Sequence, residues 1–412
     1  MKRIELTRRS LLRAGGAFGA LSAGLLPPFA LAQATPIKVG FVVPLTGPYG
    51  VDAQAEVKGA ELAIRQFNNE GGLNGRRAEL VVRDDKLNPG EAASKALELV
   101  EKDRVDFLAG PFGAAVFAVN SIAKQKGIVY NSVGNSDTIN EVKDRSEFTF
   151  HEGLTCHVTG GALARYLIPK GLKRVAVLMA DYVYGQETSR GFVRAARQLS
   201  AEIVTEVRHP IGMSDYSPFF SKIQAAKPDL LLVSNFGRDQ QIALRQITEF
   251  GLKKQMKVAV PILVHTARLV EGHETYDGVV GCMSYYWKLE DTIPSAKAFN
   301  AAYRSLHGGI APTDYSALGY SCVRTLLAAS RDAGNTDSAS VIKALEKLEY
   351  DFTKGKQYFR RCDHQSVQSV VVLTSKVPAP GVAKDDIFEI LAAEAAGEKT
   401  LRTCEELGYP VN

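Results

Sequence analysis

Residues 37–50 read IKVGFVVPLTGPYG, an apolar run that ends in a turn rich in glycine and proline. The run Ile37–Val43 is rich in β-branched side chains, as expected for a strand that is covered on both faces. From about residue 52 to 69 the apolar residues instead recur at helical spacing, and Gly71-Gly72 follows, which suits a left-handed helix end. The order strand, turn, helix is the opening of a βαβ unit.

The same alternation repeats along the chain. Further apolar runs predict strands at 80–83, 105–109, 128–131, 147–150, 175–179, 203–207, 230–234 and 369–374. Segments of helical period lie at about 91–102, 114–126, 158–168, 187–199, 217–226, 239–250, 294–306, 314–332 and 339–348. Strands that alternate with helices imply parallel sheets with right-handed crossovers. Because the series restarts after Gly171, the sequence predicts an α/β protein of two lobes.

Charge is concentrated at the start of this 412-residue chain. The formal net charge is +5, from 50 Lys and Arg against 45 Asp and Glu, and residues 1–32 hold five of the basic residues and one acidic residue. The remainder carries 45 basic and 44 acidic residues, a net of +1. Such a near-neutral body argues against nucleic acid or an anionic membrane as a partner.

The first 32 residues have the pattern of an export signal. A charged segment, Thr7–Arg13, contains paired arginines, and the apolar stretch Ala14–Leu26 is too short to span a bilayer. Ala30 and Ala32 supply the small residues of a cleavage site near Ala32. The segment resembles a twin-arginine signal, with an ordinary secretory signal as the alternative. We therefore expect an exported protein that works in the periplasm.

The chemistry-bearing residues form no recognisable catalytic set. The chain has no GxxxxGK[ST], GxGxxG, GxSxG or HExxH motif, so we expect no enzyme activity, no cofactor and no metal site. Five cysteines lie far apart, without a CxxC pair. In an oxidising compartment Cys362 and Cys404, both in the tail region, are candidates for a disulfide.

The loops that follow the predicted strands carry small and aromatic residues. Examples are Gly110–Ala115, Ser132–Ser136, Asp181–Gly185 and Asn235–Gly237. In open parallel sheets a ligand binds beyond the carboxyl ends of the strands, where helix N-termini offer free N–H groups that suit a carboxylate. The sequence therefore predicts a site for a small anionic molecule, although each loop taken alone is equally consistent with a simple turn.

These residues resemble a known family. The stretches IKVGFVVPLTGPYG, KGAELAIRQFNNEGGLNGRRAELVVRDDKLNP, FLAGPFGAA, DYVYGQ and LRQITEFGL are similar to periplasmic substrate-binding proteins of ABC transporters, of the leucine/isoleucine/valine-binding type. The resemblance covers about residues 36–375. It implies a two-lobed periplasmic binding protein of the Venus flytrap type (type I), each lobe a mostly parallel sheet flanked by helices. The implied lobes are 36–150 plus 285–357, and 151–284 plus 358–412 with the tail.

Carried over by position, the resemblance also implies site residues. Gly134 and Ser136 match the carboxylate-binding loop of the family, and Tyr184 and Phe236 match its aromatic residues from the second lobe. The loop that usually supplies a serine or threonine is here Phe112–Ala115, which has neither. The candidate ligand-binding residues are Tyr49, Phe112, Ala114, Gly134, Ser136, Tyr182, Tyr184, Phe236 and His265.

One departure from the family bears on the ligand. The acidic residue that usually pairs with the ammonium group of the ligand should fall near 262–266, but Val258–Val270 contains no Asp or Glu. An unpaired buried ammonium costs several kcal/mol. Either Asp52, Asp181 or Asp239 takes this role, or the ligand has no amine, and we favour an aromatic or otherwise apolar carboxylate.

The sequence thus predicts a monomeric receptor that delivers a small carboxylate to a membrane permease by lobe closure. The alternative is a periplasmic sensor that passes its signal to a membrane receptor or kinase.

Overall fold

The first sheet contains the strand Ile37–Val43, with which the βαβ pattern of the sequence begins. A computed structural model describes residues 35–381, 383–394 and 397–410, so the predicted export signal lies outside the described residues. Five parallel strands pair in the order β2-β1-β3-β4-β5. They are β1 (Ile37–Val43), β2 (Ala78–Asp84), β3 (Phe107–Gly110), β4 (Tyr130–Ser132) and β5 (Thr149–His151). The three helices between them are α1 (Gly50–Asn69), α2 (Pro89–Glu98) and α3 (Ala115–Lys126).

A second sheet has seven strands in the order β15-β14-β10-β9-β8-β6-β7. Its strands are β6 (Arg174–Ala180), β7 (Glu202–His209), β8 (Leu230–Ser234), β9 (Lys257–Ile262), β10 (Val280–Met283), β14 (Val370–Ser375) and β15 (Phe388–Glu394). Its helices are α4 (Cys156–Leu167), α5 (Val183–Gln198), α6 (Ser217–Ala225), α7 (Gly237–Glu249), α8 (His265–Glu271) and α9 (His273–Tyr276). The strands β6 to β10 are parallel, whereas β14 and β15 join antiparallel.

Three later helices return to the first sheet. They are α10 (Pro294–Leu306), α11 (Asp314–Ala333) and α12 (Ser338–Leu345). A small antiparallel sheet of β11 (Glu349–Tyr350), β12 (Gln357–Phe359) and β13 (Ser366–Val367) follows. We call the five-stranded sheet with α1–α3 and α10–α12 the first lobe, and the seven-stranded sheet with α4–α9 the second lobe. The predicted α/β architecture of two lobes is confirmed.

Two glycines let α11 lie directly on α1. A Cβ atom added at Gly59 would lie 1.9 Å from the Ser316 carbonyl oxygen, and one added at Gly319 would lie 2.1 Å from the Glu56 carbonyl oxygen. Any side chain at either position would push the helices apart. The close packing brings the first turn of α11, which contains Asp314, next to α1 and to the loop after β1.

The C-terminal tail is linked to earlier parts of the chain by a disulfide, a hydrogen bond and an ion pair. Cys362 and Cys404 form a disulfide, with Cα atoms 6.1 Å apart. Tyr409 Oη donates to the Asn140 carbonyl oxygen at 2.8 Å, and the Arg402 guanidinium pairs with Glu141 at 2.8 Å. The other cysteines, Cys156, Cys282 and Cys322, are free and buried. Within the described residues, no helix is both long and apolar enough to cross a membrane.

Candidate ligand-binding site

A cavity of about 400 Å³ lies between the two lobes. Loops beyond the carboxyl ends of strands from both sheets form its walls, as expected for parallel α/β sheets. Its volume is in the range of natural small-molecule sites. The lining residues are Tyr49, Leu87, Phe112, Gly113, Ala114, Val133, Gly134, Asn135, Leu154, Tyr182, Tyr184, Phe236, Ile262, Ser284, Asp314, Tyr315 and Leu318.

Six aromatic rings form a continuous wall that crosses from one lobe to the other. Tyr49 of the first lobe stacks on Phe236 of the second, with ring centroids 5.7 Å apart and an interplanar angle of 25°. Phe112 contacts Tyr49 and Tyr315 on one side, at 6.5 and 5.1 Å between centroids. Tyr184 contacts Phe236 at 5.4 Å and Tyr182 at 5.9 Å on the other. Rings in this arrangement offer a large apolar surface to a flat or branched ligand.

Four helices begin at the cavity wall without a side-chain cap. Their N-cap residues are Tyr49 (α1), Ala114 (α3), Tyr182 (α5) and Phe236 (α7), and each of these residues lines the cavity. The first N–H groups of a helix have no partner within the helix, and they place a partial positive charge at its start. Four such ends give the cavity an electropositive wall although, in the part of the chain that the structure describes, no Lys or Arg lines it.

Among the described lining residues, Asp314 is the one with an acidic or basic side chain of the Asp, Glu, Lys or Arg type. It is the first residue of α11 and is 6 % exposed, and its Oδ1 atom has no hydrogen-bond partner. Burial, and then the negative charge of Asp52, raise the pKa of Asp314 to about 8. The group is therefore mostly a neutral carboxylic acid at pH 7. A second unpartnered polar atom, Tyr184 Oη, lies in the same cavity.

Further carboxyl groups lie near Asp314. Glu56 on α1 is fully buried and neither of its carboxyl oxygens has a partner, so burial raises its pKa well above the usual range. Burial also raises the pKa of Asp52 and of Asp85 to about 6. Because these groups disfavour one another's ionised forms, the cluster holds less negative charge at neutral pH than four free carboxylates would.

The lobes touch directly at the edge of the cavity and beyond it. Thr266 Oγ1 of the second lobe donates to Asp52 Oδ1 of the first at 2.6 Å. The Asp137 backbone N–H, in the loop after β4, donates to Glu187 Oε2 on α5 at 3.1 Å. Together with the stacking of Tyr49 on Phe236, these contacts join the two walls of the cleft to each other.

Comparison with known proteins identifies the family. The sequence model of the family described as "Periplasmic binding protein" matches residues 36–379. The chain belongs to the periplasmic binding protein family. The family membership predicted from the sequence is thereby confirmed.

The relatives of this periplasmic binding protein align with most of its length. It is 24% identical to the Leu/Ile/Val-binding protein homolog 1 of Brucella abortus over 316 aligned residues. The aligned residues make up 76% of this chain and 82% of that protein. A periplasmic binding protein of Burkholderia mallei superimposes with a TM-score of 0.79 at 27% identity, over 90% of this chain and 98% of the other. A solute-binding protein of Rhodopseudomonas palustris, solved in complex with 3,4-dihydroxybenzoic acid, superimposes with a TM-score of 0.75 at 23% identity, over 88% and 98%. The last likeness shows the fold alone.

Seven of the nine residues predicted for the site of this binding protein line the cavity. They are Tyr49, Phe112, Ala114, Gly134, Tyr182, Tyr184 and Phe236. They come together because each follows the carboxyl end of a parallel strand. This position was one basis of the prediction, and the family resemblance was the other for Gly134, Tyr184 and Phe236.

The other two predicted residues, Ser136 and His265, do not line the cavity. Ser136 Oγ accepts from the Thr138 N–H at 3.2 Å, so its hydroxyl is used in the turn after β4. His265 packs against Phe388, with ring centroids 6.2 Å apart, and burial lowers its pKa to about 4. It therefore remains neutral and contributes to packing.

The three acidic residues considered as partners for an ammonium group also lie outside the cavity lining. Asp52 accepts from Thr266, Asp181 accepts from Gln186 Nε2 at 2.9 Å, and Asp239 accepts from the Gly212 N–H at 3.0 Å. Sequence reasoning missed Asp314 and Tyr315, which lie at the start of a correctly predicted helix. The available signal was Thr313-x-x-Ser316, which forms a capping box and marks that helix start.

Proposed function

We propose that this protein is the solute-binding receptor of an ABC transporter of the branched-chain-amino-acid type, and that it binds a small carboxylate in the cavity between its lobes. The observation that carries the proposal is the convergence of four helix N-termini without side-chain caps on one aromatic cavity. Such an arrangement favours an anion and holds it without a buried countercharge.

The ligand that fits this cavity is an aromatic or otherwise apolar carboxylic acid without an amine. The six rings would cover its body, and the helix N-termini would hold its carboxylate. At pH 7 Asp314 is mostly neutral and so offers little negative charge to an ammonium group. Tyr184 Oη and Asp314 Oδ1 would then hydrogen-bond to polar substituents of the ligand. The complex of the Rhodopseudomonas protein with 3,4-dihydroxybenzoic acid supports this, since a protein of the same fold there binds an aromatic acid.

Binding would couple to closure of the lobes. The cavity is made of residues from both lobes, so a ligand gains its full set of contacts only when the lobes are together. A ligand shifts the equilibrium toward the state that it contacts better. The closed form would then be the one that a membrane permease accepts for uptake.

A thermal-shift panel of matched compounds tests the proposal. We expect benzoate or a hydroxybenzoate to raise the midpoint of unfolding, and the corresponding primary amides, which have the same shape without the negative charge, to have little effect. Tyr184→Ala is the control variant, and it should lose the response because the ring that covers the ligand is gone. If no aromatic acid, aliphatic acid or amino acid stabilises the protein, the proposed function is wrong.

A further inference from the structure

A second cavity, of about 660 Å³, is lined mainly by the second lobe and shares no residue with the ligand cavity. Five arginines line it. Arg190, Arg194 and Arg197 come from one face of α5, Arg208 from β7, and Arg402 from the tail. We call this cavity the arginine groove.

Only two of these guanidinium groups have a carboxylate partner within the described residues. Arg194 pairs with Glu406 at 2.6 Å and Arg402 with Glu141 at 2.8 Å. Arg190, Arg197 and Arg208 form neither an ion pair nor a side-chain hydrogen bond in the part of the chain that the structure describes. Three unpaired guanidiniums in one concave site repel one another, and a bound anion would relieve that repulsion.

The acidic residues of the groove do not neutralise these charges. The lining contains Glu206 and Asp137. Burial raises the pKa of Asp137 to about 7, because this effect and the nearby Glu187 outweigh the opposing influence of Arg402 and Arg190. The groove therefore retains a positive excess at neutral pH.

A recessed hydroxyl group completes the site. Ser189 lines the groove and is 3 % exposed, and its Oγ atom has no hydrogen-bond partner. Guanidinium groups present parallel N–H donors that match the oxygens of a phosphate group, and a serine hydroxyl is a further donor for the same oxygens. The combination suits a tetrahedral oxyanion better than a single carboxylate.

We propose that the arginine groove is a second ligand site, which binds the phosphate group of a small soluble molecule. A free molecule is favoured over a lipid headgroup in a bilayer, because a flat membrane surface does not reach the buried Ser189 hydroxyl of a concave site. The site is distinct in position from the proposed carboxylate site, since the two cavities share no lining residue.

Titration calorimetry with inorganic pyrophosphate, at low ionic strength, tests the proposal on the whole chain. We expect saturable binding by the wild-type protein that weakens by about tenfold or more in the double variant Arg190→Gln/Arg197→Gln. Arg65→Gln is the matched control, because Arg65 is an exposed arginine of α1 in the first lobe. It should bind pyrophosphate as the wild type does.

Three results would overturn the proposal. The first is no heat of binding with pyrophosphate at concentrations up to about 10 mM, well above a dissociation constant of about 1 mM. The second is an equal loss of affinity in Arg65→Gln, which would show a diffuse charge effect. The third is sedimentation with phosphatidylglycerol vesicles in the absence of pyrophosphate binding, which would assign the groove to a membrane. Should the double variant fail to fold, Ser189→Ala and Arg208→Gln test the same site separately.

Discussion

At the scale of single residues, the proposed function gives Asp314 the choice between an acidic ligand and one with an amine. Its carboxyl group faces the cavity with one oxygen unpartnered, and three other carboxyl groups lie close enough to influence its ionisation or that of its neighbours. A neutral acid in this position donates or accepts a hydrogen bond, whereas an ionised one would repel a carboxylate ligand and attract an amine.

We therefore expect Asp314→Asn to bind the ligand with an affinity within about threefold of the wild type, because the amide keeps both a donor and an acceptor. Asp314→Leu should weaken binding by about tenfold, or about 1.4 kcal/mol, since it removes both. Titration calorimetry at pH 7 measures the two changes. If Asn abolishes binding as completely as Leu does, the negative charge is required and the ligand carries an amine.

The pH dependence of binding follows from the same group. The raised pKa of Asp314, about 8, means that the neutral form is lost as the pH rises through that value. Affinity for a carboxylate should fall between about pH 7 and pH 9, and Asp314→Asn should remove this dependence. Affinities that fall equally in the variant would place the titrating group elsewhere.

A second residue-scale prediction concerns Asp137. Its pKa is raised to about 7 by burial and by the adjacent Glu187, so folding favours the protonated form. The stabilisation is fully present below the unfolded-state pKa of about 3.9 and is lost as the pH rises from there through about 7. Asp137→Asn keeps the Oδ1 acceptor for the His157 N–H and should be more stable than the wild type by about 1–2 kcal/mol at pH 8.5. The difference should shrink as the pH falls toward about 4, and thermal unfolding at pH 8.5 and at about pH 4 checks this trend.

At the scale of elements, helix N-termini supply the positive potential of the cavity. The loop before α3 has no serine or threonine, and Ala114 caps the helix only with its backbone. Ala114 is exposed to the cavity, so a slightly larger side chain there has space.

A matched pair of variants tests this electrostatic role. Asp and Asn are similar N-cap residues and have nearly the same shape, but only Asp adds a negative charge. We expect Ala114→Asp to weaken carboxylate binding by at least about tenfold more than Ala114→Asn, because the added charge opposes that of the ligand. Equal affinities in the two variants would show that the carboxylate lies at another wall of the cavity.

The disulfide between Cys362 and Cys404 stabilises the tail. Cys362 and Cys404 are separated by 42 positions, so their bond restricts a sizeable loop of the unfolded chain. The double variant Cys362→Ser/Cys404→Ser should lose about 2–4 kcal/mol of stability in denaturant unfolding. A reductant should destabilise the wild type by a similar amount and leave the variant unchanged, whereas insensitivity of both proteins would argue against the bond.

Elements with a clear period were predictable, and those that depend on tertiary contacts were not. The strand Ile37–Val43 and the strand Leu230–Ser234 match the sequence prediction because their apolar runs are bounded by turn residues. The strand β9 was missed because Pro261 interrupts it, and the structure accommodates this proline where the register with β10 shifts. The location of Asp314 depends on the contact of Gly59 with α11, which joins residues more than 250 positions apart and leaves no local pattern.

At the scale of the whole molecule, the proposed function requires the two lobes to move around one cavity. The described structure holds them together through Tyr49 with Phe236, Asp52 with Thr266, and Asp137 with Glu187. These contacts consist of one stacked pair of aromatic rings and two hydrogen bonds. A carboxylate that bridges the walls would add the contacts that keep the lobes closed.

Small-angle X-ray scattering with and without the stabilising carboxylate tests this claim most directly. We predict a radius of gyration that decreases and saturates with the carboxylate, and that does not change with its primary amide. A radius of gyration that is the same at saturating carboxylate as in its absence would contradict ligand-driven closure.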